Sequence, residues 1–255
     1  FRLPACPGPP VPPQPPPLMP PFWPRSEHQK VVFAFTVGVV HGLPAPMGLP
    51  PVATSYQITL SPVAVSSAVP GTGMLTSLAT GAGGAGSTAR IDILDGGRMV
   101  FGAASGAYLN LGSNGRADMV VEGAGSLLQF QGANAEARVG RRGTLDSTLT
   151  VRNGGSVSGA GIFSVARDGA SGTLAIDGAT VSVDGGTTSG NTSFLVGRGA
   201  GLGSKGTVTL DNGAQLTVRG SAPSAGVPSL LVLGRDAGTE GHLRASGGSA
   251  ISADW

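Results

Sequence analysis

An all-β fold, a parallel β-solenoid with three short strands per coil, follows from three features of this 255-residue chain. Short apolar strands recur in a fixed order. Gly-rich corners separate them. No segment carries the i, i+3, i+4 spacing with caps that a helix needs. The unit is clearest at residues 194–198 (Phe-Leu-Val-Gly-Arg), 206–210 (Gly-Thr-Val-Thr-Leu) and 211–218 (Asp-Asn-Gly-Ala-Gln-Leu-Thr-Val). A unit of this size cannot bury its own apolar face and must stack on copies of itself.

Along the chain, composition changes near residue 70: all but four of the 44 glycines follow it, and 16 of the 20 prolines lie in residues 1–51. Residues 1–30 are Pro-rich, and proline fixes φ and lacks an amide donor, so polyproline II, disorder or a spurious upstream translation is expected there. Residues 31–80 hold an apolar run from Val31 to Val40 behind Arg25 and Lys30. That run is too short to span a bilayer, which needs about 20 residues. It fits either the apolar region of a signal peptide or a buried strand. Tyr56 to Leu60 alternates as a strand does. The chain begins at Phe1 rather than Met and ends at Trp255 within a repeat, so a fragment is expected.

Residues 81–255 are the repeats. Their anchor is the residue after the first strand: Gly112, Gly140, Ala166, Gly197 and Gly234, at steps of 28, 26, 31 and 37 residues. Apolar pairs precede each anchor: Leu109/Leu111, Ala137/Val139, Phe163/Val165, Phe194/Val196 and Leu231/Leu233. Period-two alternation puts each pair on one strand face. The second strand follows the same rule at Ile91/Ile93, Met119/Val121, Leu149/Val151, Leu174/Ile176, Val208/Leu210 and Leu243/Ala245. A corner of Gly, Asn and Asp comes next, the residues that tolerate positive φ. The third strand begins at Met99, Leu127, Val157, Val181, Leu216 and Ile251. Stacking predicts side-chain ladders, with Phe163 over Phe194 in the interior. The varying steps place insertions at corners, at residues 185–191 and 221–228.

The Val-Gly-Arg-x-Gly stretches, the Gly-Thr-Leu-Thr-Val-like strands and the Asn-Gly-Gly and Asn-Gly-Ala corners resemble the passenger regions of bacterial autotransporters (type V secretion). The matching segments are residues 137–157, 195–216 and 233–248, within a resemblance covering residues 81–255. Similar Gly-rich repeats occur in adhesins and filamentous haemagglutinin-like proteins. The resemblance implies a right-handed β-helix, exported and displayed on the bacterial cell surface, with a C-terminal outer-membrane barrel as its translocator. It carries over no catalytic residue, because it lies in structural repeats.

Composition narrows the chemistry. Charged residues are 12% of the chain and the formal net charge is +2, which gives no electrostatic footprint for nucleic acid. The single cysteine, Cys6, excludes an internal disulfide framework and thiolate metal sites in the repeats. No metal or cofactor is expected. Residues 81–86 and 201–206 fit GxGxxG, but strands follow the glycines where a dinucleotide site needs a helix. Tandem calcium repeats fail because Thr88 stands where an Asp is needed. Asp95, Asp177, Asp184 and Asp211 read as corner formers, although Asp177 and Asp211 could align on adjacent coils as a catalytic carboxylate pair. His242 has no partner fixed by spacing.

One pattern stands apart. Arg141, Arg167, Arg198 and Arg235 each follow the anchor in consecutive coils, with Ser113 in the coil before. The candidate function of this stripe is contact with anionic glycans; the alternative is repeat duplication, with Arg stems covering apolar rim. Asp168 and Asp236, each next to one of these arginines, would offset the like charge. The expected function is thus a non-catalytic structural or adhesive rod. The alternatives are a carbohydrate-active β-helix enzyme of the lyase or glycosidase kind, and a self-associating extracellular matrix protein.

Overall fold

The computed structural model describes residues 55–60, 64–65, 77–80, 86–102, 107–131, 135–143, 145–184, 193–200, 202–220 and 230–254. All lie in the second of the two units into which the chain divides, Phe33–Trp255. The Pro-rich segment, the apolar run from Val31 to Val40 and both insertions fall outside the described residues.

Alternating apolar residues with Gly, Asn and Asp between them give strands and corners, and among the described residues there is no helix. The first turn comprises β1 (Ser55–Leu60), β2 (Ala64–Val65) and β3 (Ser77–Ala79). The next holds β4 (Thr88–Leu94), β5 (Arg98–Gly102) and β6 (Tyr108–Leu111), and the third β7 (Arg116–Glu122), β8 (Leu127–Gln131) and β9 (Glu136–Arg141). The fourth holds β10 (Asp146–Arg152), β11 (Ser156–Ser158) and β12 (Ile162–Arg167), and the fifth β13 (Ser171–Asp177), β14 (Thr180–Val183) and β15 (Ser193–Arg198). Then come β16 (Lys205–Asp211), β17 (Gln215–Arg219) and β18 (Leu230–Leu233), followed by β19 (Glu240–Ala245) and β20 (Ala250–Asp254).

Every third strand pairs in parallel. Sheet A runs β1-β4-β7-β10-β13-β16-β19, sheet B runs β2-β5-β8-β11-β14-β17-β20, and sheet C runs β3-β6-β9-β12-β15-β18. This is a right-handed parallel β-helix with three strands per coil. Right-handed winding is the hand that parallel crossovers take. At about 4.8 Å per strand spacing, the six steps of sheet A give about 30 Å of axial rise.

The interior consists of ladders. Sheet A contributes Ile91, Met119, Leu149, Leu174 and Val208, each directly over the next and almost fully buried. Sheet B contributes Met99, Leu128, Val157, Val181 and Leu216. Sheet C contributes Leu109, Ala137, Phe163 and Phe194. The Phe163 and Phe194 rings stack with centroids 5.3 Å apart, as the repeat predicts. Phe101 and Phe130 form a second stack at 5.1 Å. Leu231 and Leu233 continue the sheet C ladders in register, but Leu233 is 44% exposed, because no described strand lies beyond them.

One register differs from the sequence expectation. Leu128, not Leu127, occupies the ladder position of Met99 and Val157. Two adjacent leucines leave alternation ambiguous, and a one-residue slip reverses every side chain. Phe130, two residues after Leu128, decides it by stacking on Phe101.

Two corners carry the turning. The anchors Gly112, Gly140, Gly197 and Gly234 have φ between +60° and +75°, and Ala166 adopts +64°. Between sheets A and B, Asp95, Asn153 and Asn212 hold φ of +52° to +56°, alternating along the stack with Gly123, Gly178 and Gly247. Only residues that tolerate the left-handed region occupy this column. Buried serines satisfy the corner amides. Ser126 Oγ accepts from Gly96 N–H at 3.0 Å and donates to the Glu122 carbonyl at 2.6 Å.

Candidate functional site

The arginine stripe lies where sheet C turns toward sheet A. β9, β12 and β15 end on Arg141, Arg167 and Arg198, and the parallel register sets Arg167 opposite both others. Arg235 follows β18, and its N–H donates to the Gly197 carbonyl at 3.0 Å, which continues the column. The four arginines therefore stack at about one strand spacing, about 4.8 Å. Two unit charges at about 5 Å repel by about 0.8 kcal/mol even in bulk water, and by more beside protein. The column needs compensation.

Part of that compensation comes from residues the repeat pattern did not single out. Glu136 and Arg138 alternate with the inward Ala137 and Val139, so they point outward from sheet C. Glu136 is 9% exposed. Its Oε1 lies 2.6 Å from Arg167 Nη1, and its Oε2 pairs with Arg138. Arg138 Nη1 also donates to Asn110 Oδ1 at 2.9 Å, and its guanidinium lies 5.6 Å from the Tyr108 ring centre. Burial raises the Glu136 pKa, but the Arg138 hydrogen bond and the charges of Arg138, Arg167 and Arg198 outweigh it, so the pKa is lowered. An acidic residue two before a basic one, out of phase with the apolar pair, is the sequence signal that marks this network.

The aspartates expected to offset the column do so in part. Asp168 Oδ2 lies 3.2 Å from Arg167 Nε and 3.9 Å from Arg141 Nε. Asp236 Oδ1 lies 3.8 Å from Arg235 Nε. The Arg141 pKa is lowered, first by burial and then by Arg138, Arg142 and Arg167, against which Asp168 works. The Arg198 pKa is likewise lowered, first by burial and then by its neighbours Arg167 and Arg235, against which Glu136 and Asp168 work. Cations this close and partly desolvated make a surface whose charge favours an anion.

The other candidates fall elsewhere. Asp177 and Asp211 stand in register at the ends of β13 and β16, at the corner between sheets A and B. With Arg152, Thr150 and Thr209 they line a shallow groove of about 370 Å³. Asp177 Oδ1 accepts from Asn212 Nδ2 at 2.6 Å, and Asp211 accepts from the Ser246 hydroxyl. Both carboxylates thus tie one coil to the next. His242 points outward on β19, its Nε2 3.9 Å from Glu240 Oε2. Of the glycine motifs, residues 202–203 form a turn that leads straight into β16. A comparison with family models, curated proteins and solved structures finds no match to this chain.

Proposed function

We propose that this chain is a surface-displayed or secreted β-helix passenger of the autotransporter kind, a non-catalytic adhesive stalk that holds anionic polysaccharide through repeated weak contacts. The observation that carries the reading is the column Arg141, Arg167, Arg198 and Arg235, one cation per coil on a rigid stack. A rod of stacked layers in strand register holds such groups at fixed spacing, so a polymer with regular negative charge meets several at once. Each contact is weak, but binding the first group raises the effective concentration of the next. The resemblance of the repeats to autotransporter passengers supports export and surface display.

The test is binding of the purified chain to an immobilised sulfated or carboxylated polysaccharide, alongside a variant with all four arginines changed to Gln. Exposed ion pairs contribute about 0.2–1 kcal/mol each, so the variant should bind roughly 30-fold more weakly. Wild-type binding should fall as salt rises. A folded variant that binds as tightly as wild type defeats the proposal.

The in-register pair Asp177 and Asp211 beside Arg152 favours a second reading, a carbohydrate-active β-helix enzyme. It expects new reducing ends when the chain is incubated with acidic or neutral polysaccharides, and their loss in Asp177→Asn and Asp211→Asn. Release unchanged in both variants would end it.

A further inference from the structure

The arginine column is compensated unevenly, and the gap falls at Arg198. Arg167 is held between Glu136 at 2.6 Å and Asp168 at 3.2 Å. Arg141 shares that Asp168, and Arg235 has Asp236. Arg198 is half-buried between Arg167 and Arg235 and, among the described residues, has no carboxylate within 4.0 Å.

The nearby acids are committed elsewhere. Asp236 Oδ2 accepts the Gly199 N–H at 2.7 Å, so it caps the backbone after Arg198. Asp168 faces Arg167 and Arg141 with its carboxylate and turns its own N–H to the Arg198 carbonyl at 2.9 Å. Ser204 Oγ donates to the same carbonyl at 2.7 Å. The main chain at Arg198 is therefore fixed from both sides, while Glu136 and Asp168 act on its guanidinium only from beyond ion-pair distance. A half-buried cation on a fixed main chain, flanked by two others at about one strand spacing on each side, suits a group whose oxygens accept from several guanidiniums at once.

We propose that Arg198, with Arg167 below it and Arg235 above it, forms a subsite for a single tetrahedral oxyanion of the sulfate type, carried on the polysaccharide of the adhesive reading. The proposal rests on that reading only for the polymer; the subsite itself stands or falls on the anion. Arg198 is the positioning cation, Arg235 completes the site at the rim, and Arg167 is mainly structural.

The test is thermal unfolding of the whole chain with inorganic sulfate, against chloride at matched ionic strength. Wild type should show a saturable rise in Tm with sulfate. Arg198→Gln should weaken the apparent sulfate affinity about tenfold or more, because it removes charge-assisted hydrogen bonds. Without sulfate, Arg198→Gln should melt at or above wild type, since burial and repulsion from Arg167 and Arg235 outweigh the pull of Glu136 and Asp168 on this cation, whereas Arg167→Gln should melt lower. Arg116→Gln, away from the column and paired with Asp118 at 3.1 Å, should keep the full sulfate response. A sulfate response retained in Arg198→Gln, or a sulfate-free Tm lowered as far as that of Arg167→Gln, overturns the subsite. Loss of polysaccharide binding with the sulfate response intact would instead overturn the adhesive reading alone.

Discussion

At the scale of the residue, the fold depends on a few backbone positions where substitution is costly. A Cβ at Gly197 would overlap the Glu240 carbonyl of the next coil, and φ there is +75°. The left-handed conformation alone costs a non-glycine residue about 1–2 kcal/mol. Gly197→Ala should therefore lower stability by about 3 kcal/mol in chemical denaturation, the excess coming from displacement of β19. Ala166 shows the conformational part of the cost in isolation: it holds φ +64° and is fully buried. Glu136 sets the acid limit of sheet C. Its pKa is lowered in the folded chain, so the unfolded chain binds more protons as pH falls. Its contribution is complete above the ordinary glutamate value near about 4.3 and is lost as pH drops through the lowered folded value. Glu136→Gln should lower Tm at neutral pH by an amount equivalent to about 2 kcal/mol, the scale of hydrogen bonds to charged groups. It should also flatten the decline of Tm between pH 5 and pH 3, read by melts across that range.

At the scale of the element, each strand is specified by two inward residues and a corner, and its partner lies one coil away. The inward ladders of sheets A and C were legible for this reason: Leu149 and Val151 or Phe163 and Val165 need only alternation to be read. Leu127 and Leu128 show where alternation fails, because two apolar neighbours offer two registers and only the Phe101 stack chooses between them. Phe163 and Phe194 are both fully buried and stacked. Phe163→Ala should cost about 3–5 kcal/mol as a cavity opens under Phe194. A double-mutant cycle of Phe163→Leu and Phe194→Leu should show a coupling of about 0.5–1.5 kcal/mol beyond the separate losses. Additive losses would mean that the rings fill space without interacting.

At the scale of the whole solenoid unit, stability is a sum over layers and their interfaces, because each coil touches only its neighbours. Residues 146–170 make one full turn, and Asp146 stands in register with Ser171, the first residue of the following turn. A tandem duplication of residues 146–170 should therefore fold. It should add about 4.8 Å to the axis and raise the urea m-value in proportion to the added buried surface. Scattering and urea titration check both; an unchanged m-value would mean that the extra layer does not join the stack.

By itself the sequence determined the strand type, the three-strand coil, the inward ladders, the corners and the position of the four arginines. These features are local: alternation, positive-φ residues and spacing from an anchor lie within a single repeat. Only the tertiary structure decided which charges meet. Glu136 reaches Arg167 across 31 residues and Asp236 reaches Gly199 across 37, through corners of unequal length. The repeat pattern says that Arg198 belongs to a column. It takes the stacked coils to show that Arg167 is in direct ion-pair contact with Glu136 and Asp168 while Arg198 feels them only from farther off, because compensation depends on where neighbouring coils aim their carboxylates.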